Sequence, residues 1–147
     1  MLAPGPVLGL DYGTRRIGLA VSDAEGTFAF PAGAIERRGL EKDLAALADV
    51  IEERGVRRIV LGLPLHMDGR AGDMAEAVRT FAGHLERATG LPVELLDERW
   101  TTLQAERALR ELGRRRRRRG EVDAVAAAIL LRTWLERQRA LAGGDPA

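Results

Sequence analysis

Apolar residues follow two patterns along this chain: short unbroken runs, and longer stretches with helical spacing. The first two runs, Val7–Leu10 and Ile17–Val21, flank a polar tip, Asp11-Tyr12-Gly13-Thr14-Arg15-Arg16. Runs this short, bounded by glycine and charge, predict two β-strands joined as a hairpin. Val7–Leu10 lacks apolar–polar alternation, which predicts a central strand covered on both faces, with Asp11 at its carboxyl end. Thr27–Ile35 follows as a third strand, confined by Pro31 and Gly33 to an edge or a bulge. Leu40–Arg54 sets Leu40, Leu44, Leu47, Ala48 and Ile51 at helical spacing and stops at Gly55. Val56–Leu61 predicts a fourth strand, parallel to the first, leading into the glycine-rich loop Gly62–Arg70. A second helix over Gly72–Thr89 is closed by Gly90, and Pro92–Leu96 is a fifth strand ending in Asp97-Glu98-Arg99. Thr101 can cap a third helix that turns Leu103, Ala105, Ala108, Leu109 and Leu112 to a core. Arg114–Arg119 interrupts the chain before a last helix over about Glu121–Leu141, and the tail from Gly143 is expected to fray.

Hairpin-joined strands followed by helix–strand–helix–strand–helix predict an α/β fold, a mixed five-stranded sheet covered by helices. No repeat or linker interrupts residues 7–141, so one domain over 1–147 is expected. In such sheets the functional crevice lies outside the carboxyl ends of the parallel strands. Asp11, the loop over 62–70 and the pair Asp97/Glu98 all fall at such ends.

The last helix adds a further acid. From Val122 to Leu131 every position is apolar except Asp123, so this carboxylate is expected to enter the interior in the first helical turn. Ala124, Ala126, Ala127 and Ala128 allow close approach to the sheet, which would bring Asp123 towards Asp11. A carboxylate favoured by the helix amino terminus explains the same residue without chemistry. Asp97 and Glu98 face opposite ways, so at most one points to the side of Asp11, and both also read as solvated strand-end residues. Three converging carboxylates would suit one or two hard cations, which take oxygen ligands. Gly62–Arg70 reads either as a phosphate-contacting loop or as a turn shaped by glycine and proline, and it does not match a P-loop. His66 and His84 are too few for a histidine-rich metal site, and Trp100 and Trp134 read as packing residues.

Composition narrows the classes. With 46% hydrophobic and 31% charged residues the chain reads as an ordinary globular protein. It has no apolar run near membrane-spanning length and no signal segment, so a cytoplasmic location without membrane contact is expected. The absence of cysteine removes disulfides, thiol catalysis and Cys-ligated zinc. The net charge of +1 conceals an asymmetry, because residues 99–119 carry nine Arg against two Glu. Local positive charge of this density points to a polyanion. Six adjacent like charges also predict an extended stretch at 114–119 rather than a helix continuation. The candidate phosphate contacts are Arg15, Arg16, Arg70, Arg99, Arg114, Arg115, Arg116, Arg117, Arg118 and Arg119.

Four segments carry a resemblance. Leu10–Asp23 resembles the opening motif of the YqgF/RuvX family, and Gly62–Gly69 is similar to its second motif. Asp97-Glu98-Arg99-Trp100-Thr101-Thr102 resembles the third, and Val122-Asp123-Ala124-Val125-Ala126-Ala127 the last. The matches are in order and cover nearly the whole chain. The resemblance implies a ribonuclease H-like fold with helices on both faces of the sheet. It implies a nuclease acting in 5′-end maturation of pre-16S ribosomal RNA, or on branched DNA, as a monomer or homodimer. By position it implies Asp11, Glu98 and Asp123 as the acidic set, with Mg2+ or Mn2+ as cofactor. Two departures stand out: the arginine run is denser than the family pattern, and the middle acid follows the fifth strand rather than the fourth. Leu10-Asp11-Tyr12-Gly13-Thr14 also looks like the first phosphate loop of actin-like and sugar-kinase ATPases. A non-catalytic RNA- or ribosome-binding factor is the other alternative.

Overall fold

The computed structural model describes residues 5–64, 72–97 and 119–143. The strands are β1 (Val7–Tyr12), β2 (Arg16–Ser22), β3 (Ala29–Glu36), β4 (Arg58–Leu63) and β5 (Val93–Asp97). The helices are α1 (Leu40–Arg54), α2 (Asp73–Thr89) and α3 (Arg119–Gly143). One sheet runs in the order β3-β2-β1-β4-β5, so β1 is central and β3, with its proline, lies at an edge as expected. β2 is antiparallel to both its neighbours, whereas β1, β4 and β5 are parallel, and the sheet is mixed.

The apolar run of β1 explains its place. Leu8 and Leu10 face a core built with Leu47 of α1 and Ala75, Val78, Phe81 and Leu85 of α2. Val7 faces the other core, with Ala20, Val60 and Leu96 of the sheet and Leu130, Leu131, Trp134 and Leu135 of α3. Helices therefore cover both faces. Trp134 is a packing residue, 1% exposed, and its indole N–H donates to Glu94.

Several boundaries differ from the sequence reading. Asp11 and Tyr12 pair with Gly18 and Ile17, so the hairpin tip shrinks to Gly13, Thr14 and Arg15. The tip is closed by the Gly13 N–H donating to the Arg16 carbonyl at 2.9 Å. β4 starts at Arg58 and takes in Gly62 and Leu63, which were expected in the loop, because both continue the ladder to β5. Leu40 and Ala48 of α1 are exposed, and Asp43 takes a buried place instead. That carboxylate is tolerated because its Oδ1 accepts the Arg38 N–H at 2.8 Å. Helix α3 begins at Arg119, so the last arginine of the run is helical rather than extended. The expected helix after Thr101, the loop residues 65–71 with His66, Trp100 and Arg114–Arg118 lie outside the described residues.

At the far end of the β2–β3 hairpin, Asp23 Oδ1 accepts the N–H groups of Phe28 and Thr27 at 2.7 and 2.8 Å. These donors, Phe28 first, hold its carboxyl below the usual carboxylate range. Among the described residues, no helix is long and apolar enough to cross a membrane.

Candidate active site

Side chains alternate across the pleat of β1. Tyr12 belongs with Leu8 and Leu10 on the α1/α2 side, while a Cβ built on Gly9 would meet the Leu131 Cβ of α3 at 2.8 Å. Asp11 therefore faces α3, half-buried. Directly across the ladder from it is Gly18. A Cβ on Gly18 would sit 2.1 Å from the carbonyl oxygen of Asp123 and 2.5 Å from its carbonyl carbon. The first turns of α3 thus rest on the bare backbone beside Asp11. Paired residues on adjacent strands are roughly 5 Å apart between Cα atoms, so Asp11 and the Asp123 backbone flank Gly18 on one face of the sheet.

Arg16 lies two residues before Gly18 and shares its face. Its Nε donates to Asp123 Oδ2 at 2.6 Å, an ion pair with both side chains about three-quarters buried. Asp123 is the fifth residue of α3 and half-buried, so it lies beyond the first turn and less deep than the apolar stretch around it suggested. Its charge is met by Arg16 rather than by the helix terminus alone.

The parallel registers join Leu10 to Leu61 and Leu61 to Leu95, which sets Asp11 level with Gly62 and Leu96 at the carboxyl edge of the sheet. Val93 and Leu95 pack on the α1/α2 core and Leu96 on the α3 core. Alternation then gives Asp97 the α1/α2 face, opposite to Asp11. Glu98, Arg70, Arg99 and Arg114–Arg118 lie outside the described residues, and of Arg119 only the backbone is described. Arg15 is exposed at the hairpin tip. Among the described residues no group of three His, Cys, Asp or Glu is arranged to hold a metal ion. Asp11 and Asp123 supply two oxygen-donor groups on one face, a donor chemistry that suits a hard cation.

Two contributors escaped the sequence reading. Gly18 was legible in principle, because an isolated glycine within a strand marks close approach of another backbone. Arg37, which contacts the hairpin tip, carries no local signal.

The RuvX family, described as Holliday junction resolvase, matches residues 5–137. A "Putative pre-16S rRNA nuclease" of Moorella thermoacetica is 48% identical over 132 residues, covering 89% of this chain and 94% of that protein. One of the same name from Myxococcus xanthus is 50% identical over 133 residues, covering 90% and 88%. Among solved structures, T. thermophilus RuvC in complex with Holliday junction substrate superposes with a TM-score of 0.58 at 18% identity, over 91% of this chain and 95% of that one. That likeness extends the family assignment to the fold, which is ribonuclease H-like. With nearly the whole chain matched, and relatives at 48–50% identity over most of their own length, the chain belongs to the RuvX family of Holliday junction resolvases.

Proposed function

We propose that this chain is a divalent-metal-dependent nuclease that trims the 5′ end of pre-16S ribosomal RNA in the cytoplasm, with Asp11, Asp123 and Glu98 as its acidic set. The observation that carries this reading is the placing of Asp11 and Asp123 on either side of Gly18, from opposite ends of the sequence. Two carboxylates on one half-buried face are costly unless positive charge accompanies them. Arg16 supplies part of it. Of the pair at the end of β5, Asp97 belongs to the other face, which favours Glu98 as the third acid. A bound Mg2+ or Mn2+ would polarise the phosphodiester, activate water and neutralise the leaving oxygen. Arg16 keeps the Asp123 carboxylate oriented, and Arg15 offers charge to phosphate at the exposed tip. The relatives' name supports the RNA substrate, and the family description supports four-way DNA as a second one.

The test is cleavage of a 5′-extended 16S precursor RNA and a matched four-way DNA junction, with Mg2+, Mn2+ or chelator. Wild type is expected to cut the RNA only with metal. Asp11→Asn should abolish cleavage while folding and binding persist, and its retaining full activity would overturn the site. Binding without metal-dependent cleavage by wild type would instead make the chain an RNA-binding factor.

A further inference from the structure

The β1–β2 tip is three residues long, and Thr14 and Arg15 are exposed. Such a tip, in front of a reacting site, needs support from elsewhere. The support comes from Arg37, just past the end of β3. Its Nη1 donates to the carbonyl oxygens of Gly13 at 3.0 Å and Thr14 at 3.3 Å. Its own backbone N–H donates to the Arg15 carbonyl at 2.8 Å. All three tip residues are thereby tied to one arginine.

The guanidinium is fixed in turn. It lies 4.4 Å from the ring centroid of Tyr12, and the Tyr12 ring lies 4.6 Å from that of Phe81. Phe81 is a buried residue of α2. A stack thus runs from the core through Tyr12 to Arg37 and on to the tip carbonyls. Tyr12 is the residue next to Asp11, with its side chain on the opposite face of the same strand, so clamping one fixes the backbone of the other. Arginine suits this role because its plane stacks on a ring while its edge donates hydrogen bonds. Lysine offers a point charge without the plane.

We infer that Arg37 is a positioning residue of the nuclease site, holding the hairpin tip and with it Asp11 and Arg16. This rests on the assignment of Asp11 to the site. Its test is separable, because amide exchange reads the tip without any catalysis. In Arg37→Ala, exchange at the Gly13 amide should quicken at least about tenfold while core amides of β1 and β4 stay unchanged. kcat on the precursor RNA should fall about 10–100-fold, the scale of a misplaced reacting group, with KM within about threefold. Arg37→Lys should rescue neither. Normal kcat in Arg37→Ala, beside an inactive Asp11→Asn, would overturn the inference and leave the site assignment standing. Unchanged Gly13 exchange with a salt slope of binding reduced by about 0.7–0.9 would make Arg37 a phosphate contact instead, and also overturn it. If Asp11→Asn stays active, the site assignment fails and the inference falls with it, whatever the exchange shows.

Discussion

At Asp123 a part in stability can be told from a part in chemistry by measurement. Its ion pair with Arg16 is short and partly shielded from water, and a charged hydrogen bond of this exposure is worth about 1–2 kcal/mol. Asparagine keeps an acceptor for the Arg16 Nε–H and loses the charge. Asp123→Asn is therefore expected to cost no more than about 1–2 kcal/mol by chemical denaturation. Cleavage per folded molecule should fall at least ~100-fold, beyond the usual cost of losing only a supporting group at a metal site. A large stability loss with unchanged specific activity would return Asp123 to a structural role. Arg16 was expected on the substrate. Its seat on Asp123 could not be read from the sequence, because a contact between residues 16 and 123 depends on how α3 crosses the sheet.

At the scale of elements, Asp123 reaches the sheet because α3 lies flat on glycine. Gly9 meets Leu131, and Gly18 meets the backbone of Asp123, where a side chain would have no room. At Gly18 the obstacle is main chain, which cannot rotate aside. Gly18→Ala should thus cost about 1–3 kcal/mol, the usual range for overpacking. It should also lower cleavage, since the helix must lift where Asp123 leaves it. Thermal unfolding together with single-turnover cleavage would check both, and an alanine variant as stable and active as wild type would refute the contact. The elements were largely legible. β1 announced itself by an apolar run without alternation, and Gly55 and Gly90 stop α1 and α2 in left-handed conformations. What misled was local: Leu40 suited a helical face, yet Asp43 took the buried place by capturing a backbone N–H. Charge repulsion argued against helix at Arg119, but helix α3 takes in that last arginine.

For the whole molecule, charge is sorted as firmly as apolar surface. Residues 99–119 hold a large positive excess, so the remainder is acidic. The run 114–119 leads directly into the helix that bears Asp123. If about four of its six arginines contact phosphate, replacing all six with Ser should reduce the slope of log K against log salt by roughly 3–4 units. Binding should weaken for every sequence alike, since phosphate contacts carry no base readout. A salt titration in an Asp11→Asn background measures this, and parallel slopes for the two proteins would show a solvated linker. The mixed five-stranded sheet, its central first strand and its edge third strand followed from pattern and resemblance. A course for the arginine run does not follow in this way, because repeated charge states an affinity for polyanions without fixing a path.

The position of α3 also orders events in time. Asp11 is made early, on a strand one face of which residues 119–143 later cover. Asp123 comes with that same helix, so covering this core and seating Asp123 against Gly18 are one event. A chain made only as far as β5 holds Asp11 without Asp123 on the same face.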